Sequence, residues 1–280
     1  MCRTLFSFLE LEDPALASTS KFLNQTFFVL YKLVFAFYFI FWCLWWPLAE
    51  DILTGYKFVT YWTFYIAAIY FIISTVTACI PLDVRSRPVS LPGDPELQDK
   101  PTATNLSTAR RAALWLQVLT WNMASLGAVV VLVVFWTFLY DGGSLSTTDI
   151  NAHFLILVIM VLDMFLVATE YKFRHIWATE AFAVIYIIFN VAYFFLGAED
   201  DTVIYSVLDW EDNVGEAIAF TAIVLVVLLP ISALIFLGLF RLRETIASSQ
   251  QNGSPGSSAG FVDLGRGLVA PTVTTGTSKV

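Results

Sequence analysis

The sequence predicts an all-α membrane protein, a polytopic bundle of six transmembrane helices with the N- and C-termini in the cytoplasm. Three observations carry this prediction. First, 58% of the 280 residues are hydrophobic and only 14% are charged, with a mean hydropathy of +0.74; a soluble domain keeps about a quarter of its residues charged. Second, six runs reach the roughly 20 apolar residues that a spanning helix needs. Third, lysine and arginine collect in alternate connections. Residues 1–26 read as a cytoplasmic N-terminal segment, 27–240 as the transmembrane domain and 241–280 as a cytoplasmic, largely disordered tail.

In chain order, Met1 to Gln25 is polar-mixed, with Glu10, Glu12, Asp13 and Pro14 interrupting a short apolar start. No cleavable signal peptide is expected, and the first span directs insertion. That span is about Phe27 to Leu48 and ends in Trp42, Trp45 and Trp46, residues suited to the headgroup belt. The second is about Phe58 to Ile80. The third, about Ala112 to Leu139, is long enough to tilt. The fourth is about Ile150 to Thr169 and the fifth about Ala178 to Gly197. The sixth, about Ala217 to Phe240, contains Pro230, which removes one helix hydrogen bond and predicts a kink. The runs lack period-2 alternation and far exceed a barrel strand, so each is expected to satisfy its backbone as a helix.

Basic residues set the direction. Arg3 and Lys21 precede span one; Arg85, Arg87, Lys100, Arg110 and Arg111 lie between spans two and three; Lys172 and Arg174 lie between four and five; Arg241, Arg243, Arg266 and Lys279 follow span six. The alternate loops carry only Lys57, and the loop Ala198 to Glu216 holds Glu199, Asp200, Asp201, Asp209, Glu211 and Asp212 ahead of Glu216, and no base. The positive-inside rule then places both termini inside. The sequons at Asn24, Asn105 and Asn252 fall on the cytoplasmic side and are expected to stay unglycosylated. The loop from Pro81 to Arg111, with Pro88, Pro92, Pro95 and Pro101 inside it, reads as irregular, and the Ser/Gly/Thr-rich tail from Ser248 as disordered.

The net charge of −8 argues against a nucleic-acid partner. Cys43 and Cys79 are expected at opposite membrane faces, too far apart for a disulfide, and Cys2 is a weak lipidation site. No spacing calls for a metal, and no cofactor is expected. The partners in view are membrane lipids.

Polar residues within the spans are the informative ones, because each needs a partner in hydrocarbon. Thr60, with Asn151 and His153, forms an outer group. At 1.5 Å per residue, Thr60 and His153 lie roughly 3–5 Å below the same interface on different spans. A threonine hydroxyl beside an imidazole supplies a nucleophile and a general base, set against the plainer roles of a hydroxyl bonded to its own helix and a ring wetted at the headgroups. Gln117, Asn122 and Asp163 form an inner group, with Asn122 and Asp163 placed to bond across the three–four interface and Glu180 and Asn190 adding polarity on span five. Gln117, Asn122, Asp163 and Asn190 are thus an expected intramembrane polar cluster, either interhelical glue or part of a polar path.

The stretch Tyr56-Lys57-Phe58-Val59-Thr60-Tyr61-Trp62-Thr63 resembles the start of the second span in rolling stone-like proteins, with Tyr61 where asparagine is usual. Asn151-Ala152-His153 and the apolar run to Asp163 resemble their fourth span. Arg174-His175, followed by Tyr186, Asn190 and Tyr193, resembles the region after it. The resemblance covers roughly Phe27 to Phe240. It implies a multi-span membrane protein, more in the plasma membrane than the endoplasmic reticulum, acting in cell-surface organisation or cell fusion, since the founding member is linked to myoblast fusion. Rolling stone-like proteins also look distantly similar to androgen-induced-type intramembrane threonine hydrolases, which use a threonine and a histidine to cleave fatty-acid esters of hydroxy fatty acids. By position, Thr60 and His153 would match. An intramembrane lipid ester hydrolase acting on an acyl-ester lipid is therefore the alternative. A transporter is disfavoured by the lack of paired broken helices and of a repeat.

Overall fold

The computed structural model describes residues 14–49, 55–80, 107–197 and 202–252. Six helices in it are long and apolar enough to cross a membrane. We number them α1 (Gln25–Ala49), α2 (Val59–Cys79), α3 (Thr108–Val134 with the π turn Phe135–Leu139), α4 (Thr147–Ile150, the π turn Asn151–Leu155 and Ile156–Leu166), α5 (Ile176–Leu196) and α6 (Val214–Ile223, the π turn Val224–Leu228 and Leu229–Asn252). The expected irregular loop over 81–106, the acidic residues Glu199 to Asp201, the tail from 253, Cys2 and the Asn105 sequon lie outside the described residues.

Local chemistry explains where the helices start. Asn24 caps α1, its side-chain oxygen accepting the Phe27 N–H at 3.0 Å. Ser107 caps α3 by accepting the Arg110 N–H. Ser146 and Asp149 form a reciprocal capping box that starts α4. The kink expected in α6 takes the form of a widened turn: Val224–Leu228 is π-helical just before Pro230, where the proline ring and its missing N–H break the regular ladder.

The bundle is centred on α3. In its most apolar window 56% of residues are buried, against 22% for α1, α5 and α6, whose outer faces are left for lipid. α3 touches α2, α4, α5 and α6, while α1 packs chiefly on α2. Gly127 makes the α2–α3 approach close: a Cβ there would lie 3.2 Å from the Thr63 side chain. Between α1 and α2 the seam is aromatic, with Phe39 stacked on Phe71 at 5.2 Å and Trp46 edge-on to Phe64 at 4.5 Å.

Two segments depart from expectation. The chain ahead of α1 is tucked into the bundle, with Ala17 and Ser18 buried; the Ala17 carbonyl accepts from Gln117 and the Ser18 carbonyl from Gln25. α6 also continues helical to Asn252, beyond the apolar run that ends near Phe240, because Arg243 gives that extension a buried anchor. Its guanidinium is fully buried and donates to the carbonyls of Met164 (2.8 Å), Val167 (2.5 Å) and Thr169 (3.0 Å). These include carbonyls that the end of α4 leaves without helical partners. Glu244 pairs with Lys21 beside it, so the start of α1 and the end of α6 meet at one end of the bundle.

Candidate functional site

At the opposite end, a cavity of about 330 Å³ opens between α2, α3, α4 and the loop before α6, and both Thr60 and His153 line it. Thr60 sits in the first turn of α2 and is buried; His153 is half-buried. Two π turns shape the wall. One on α3 contributes Phe135 and Leu139, and one on α4 contributes Ala152 and His153. Each inserts an extra residue that re-aims its neighbours, a distortion found often at functional sites.

The His153 ring is fixed on two sides. It stacks on Phe135 with centroids 3.7 Å apart and 7° between planes. Its Nδ1 lies 3.0 Å from the Asp149 carbonyl oxygen. A carbonyl only accepts, so Nδ1 carries the proton and Nε2 keeps its lone pair. Across the cavity stands Tyr205, from the loop before α6. Its phenolic oxygen accepts the Val59 N–H at 3.2 Å and is in hydrogen-bonding contact with the side chains of Thr60 and Tyr186. Burial pushes the Tyr205 phenol up to about 12, so at neutral pH it remains a donor. Tyr186 in turn donates to the Lys57 carbonyl at 2.8 Å. The sequence offers no periodicity that would single out Tyr205, because it lies in a loop and reaches Thr60 only through the fold.

Asn151 stands next to this wall, accepting from the Tyr38 hydroxyl at 2.8 Å and donating to the Thr147 carbonyl at 2.7 Å. It joins α1 to α4 and is committed to that task.

The expected polar cluster of Gln117, Asn122, Asp163 and Asn190 is divided among separate places. Gln117 bonds to Thr77, Ser74 and the Ala17 carbonyl. Asn122 donates to Val118 in its own helix and leaves its side-chain oxygen buried without a partner. Asn190 accepts from Trp210 at 2.7 Å. The bond expected between Asn122 and Asp163 is replaced by one from the neighbouring Trp121, whose ring N–H reaches Asp163 at 3.1 Å. A one-residue difference is about 100° around a helix, so Trp121 rather than Asn122 faces α4.

Asp163 is the centre of a buried assembly that the sequence reading missed. Lys32 of α1 forms an ion pair with it, and both side chains are fully buried. Lys32 and Tyr31 meet one carboxylate oxygen; Tyr70 of α2 and Trp121 of α3 meet the other. Each oxygen thus has two donors. The ammonium also bonds the Tyr70 oxygen at 2.7 Å and lies within 4.7–5.6 Å of the rings of Phe28, Tyr31, Tyr70 and Phe71. The overlooked signal is Lys32, a lone lysine inside the apolar run that starts at Phe27, which by cost alone marks a paired site.

The fold and these two sites define an integral, multi-pass membrane protein with a buried ion pair near one face and a threonine–histidine cavity near the other. The family model for protein rolling stone matches residues 17–253, and the chain belongs to the rolling stone family. No curated protein and no solved structure matches it.

Proposed function

We propose that this protein is an intramembrane hydrolase of acyl esters, with Thr60 as nucleophile, His153 as general base and Tyr205 as the donor that polarises the ester carbonyl. The observation that carries this reading is the single cavity lined by all three residues, in which the His153 tautomer leaves Nε2 free to take a proton. Among the described residues no hydrogen bond joins Thr60 to His153. The cavity leaves room for an ester carbonyl or one water between them, and catalytic hydrogen bonds are often long before substrate binds. The Thr60 oxygen attacks the carbonyl carbon while its proton passes to Nε2. The C–O bond to the alcohol then breaks, and the same proton leaves with the alkoxide. A water, deprotonated by His153, releases the acid and restores the hydroxyl.

For the other reading, cell-surface organisation or fusion, the acidic loop Ala198 to Glu216 is the natural contact surface. Ile204, Tyr205 and Leu208 of that loop are buried, and among the described residues Glu211, Asp212 and Glu216 are its exposed acidic ones. Part of the loop thus roofs the cavity, which favours the hydrolase. A fluorophosphonate probe is expected to label the wild type but neither Thr60→Ala nor His153→Ala; equal labelling of all three sinks the proposal. Surface biotinylation in the same cells tests the expected plasma-membrane location.

A further inference from the structure

A second, separate cavity lies deeper in the bundle. Its volume is about 80 Å³, and it runs between α3, α5 and α6 along Gly127, Val130, Ala183, Ile187 and Val224. Of the polar groups in its wall, the Thr179 hydroxyl donates to the Asn122 carbonyl and the Tyr186 hydroxyl to the Lys57 carbonyl, while the Thr221 hydroxyl is buried without a partner. One unpaired hydroxyl falls short of the two to four polar partners a buried water needs, and close-packed interiors contain few voids larger than a water molecule. Around the bundle the available apolar solvent is acyl chain. The outer faces of the same helices are open to it, with Ile185 57%, Ile188 62% and Val226 72% exposed.

The position of the slot fixes its relation to the chemistry. Tyr205 lines both cavities, and Val59 in the slot is the chain neighbour of Thr60 in the outer cavity. A carbonyl held at Thr60 and Tyr205 therefore has the slot on one side and the larger cavity on the other. From Gly127 to Val134 the slot's α3 wall extends about 10 Å along the helix, but its volume is about half that of an engineered cavity that takes benzene. It has room for a few methylenes and not for a long tail.

We infer that this slot between α3, α5 and α6 binds the short acyl arm of the ester cleaved at Thr60, so that the protein prefers short-chain acyl esters. The inference rests on the hydrolase reading, and two measurements separate them. In the first, a short-chain acyl ester with a terminal diazirine is photolysed on the full-length protein in nanodiscs and the adducts are mapped. Adducts at Val130, Ala183 or Ile187, competed away by p-nitrophenyl butyrate, are expected whether or not turnover occurs. Adducts confined to the lipid-facing Ile185 and Ile188 overturn the slot even if Thr60 is labelled by fluorophosphonate. In the second, p-nitrophenyl butyrate and palmitate are compared as substrates. Wild type is expected to favour butyrate, Ala183→Phe to raise the butyrate KM about tenfold or more, and Ile187→Ala to shift preference toward palmitate. The unfolding temperature of each variant serves as the control for folding. A preference unmoved by either filling or enlarging the slot overturns the inference.

Discussion

Replacing Asp163 with asparagine strands a fully buried ammonium. Lys32 then keeps the Tyr70 oxygen and the faces of four rings, and no countercharge. Removing one partner of a buried pair costs about 3–5 kcal/mol. Lys32→Met is the milder change, because the carboxylate keeps Tyr31, Tyr70 and Trp121 as donors, and hydrogen bonds to a charged group contribute about 1.5–3 kcal/mol each. For a chain of this size 1 kcal/mol moves the midpoint by roughly 2–4 °C. Asp163→Asn should therefore lower Tm by about 10 °C, and Lys32→Met by clearly less. The Lys32→Met/Asp163→Asn double variant, which buries no charge and keeps an amide oxygen to accept from the Tyr31, Tyr70 and Trp121 donors, should recover most of the loss, since it removes the stranded charge that makes a half-broken pair costly. The assay is reversible unfolding in mixed micelles, followed by tryptophan fluorescence. Additive losses in the double variant, or a loss below about 1 kcal/mol for Asp163→Asn, would refute the view that the pair is a mutually dependent lock.

Two further changes probe the packing. Arg243→Ala should remove about 3 kcal/mol by stripping a charged donor from three carbonyls, and Arg243→Lys should recover less than half, because an ammonium lacks the planar fork; thermal unfolding of both variants checks this. Gly127→Val should destabilise by about 1–3 kcal/mol through its clash with Thr63, and Thr63→Ala in the same chain should relieve most of that loss in a denaturant titration.

The six helices were legible because lipid imposes a length and a composition on anything that crosses it. The expected span over 58–80 is helical over Val59–Cys79, and the one over 150–169 lies within Thr147–Leu166 and its flank. Hydropathy averages what it counts, so Lys32 vanished into the strongly apolar run around it. The three π turns were also invisible, since the residues that widen a turn do not differ in type from those that keep it regular. The end of α6 was misjudged because helix formation past Phe240 depends on Arg243 finding carbonyls of α4, a contact 74 to 79 residues away in sequence. Thr60 and His153 were found by depth, a one-dimensional quantity. Tyr205 needed the third dimension.

The ion pair in the bundle also has a history in time. Lys32 and Asp163 are 131 residues apart, and at about 5–20 residues per second the ribosome takes roughly 7–26 s to make the chain between them. Over that interval α1 holds an ammonium whose carboxylate has not been made. A lone lysine close to a helix end can bend its head back to the headgroups. Its countercharge arrives only with α4. A chain that stalls before Asp163 is synthesised thus carries in its first helix an ammonium whose countercharge has not yet been made.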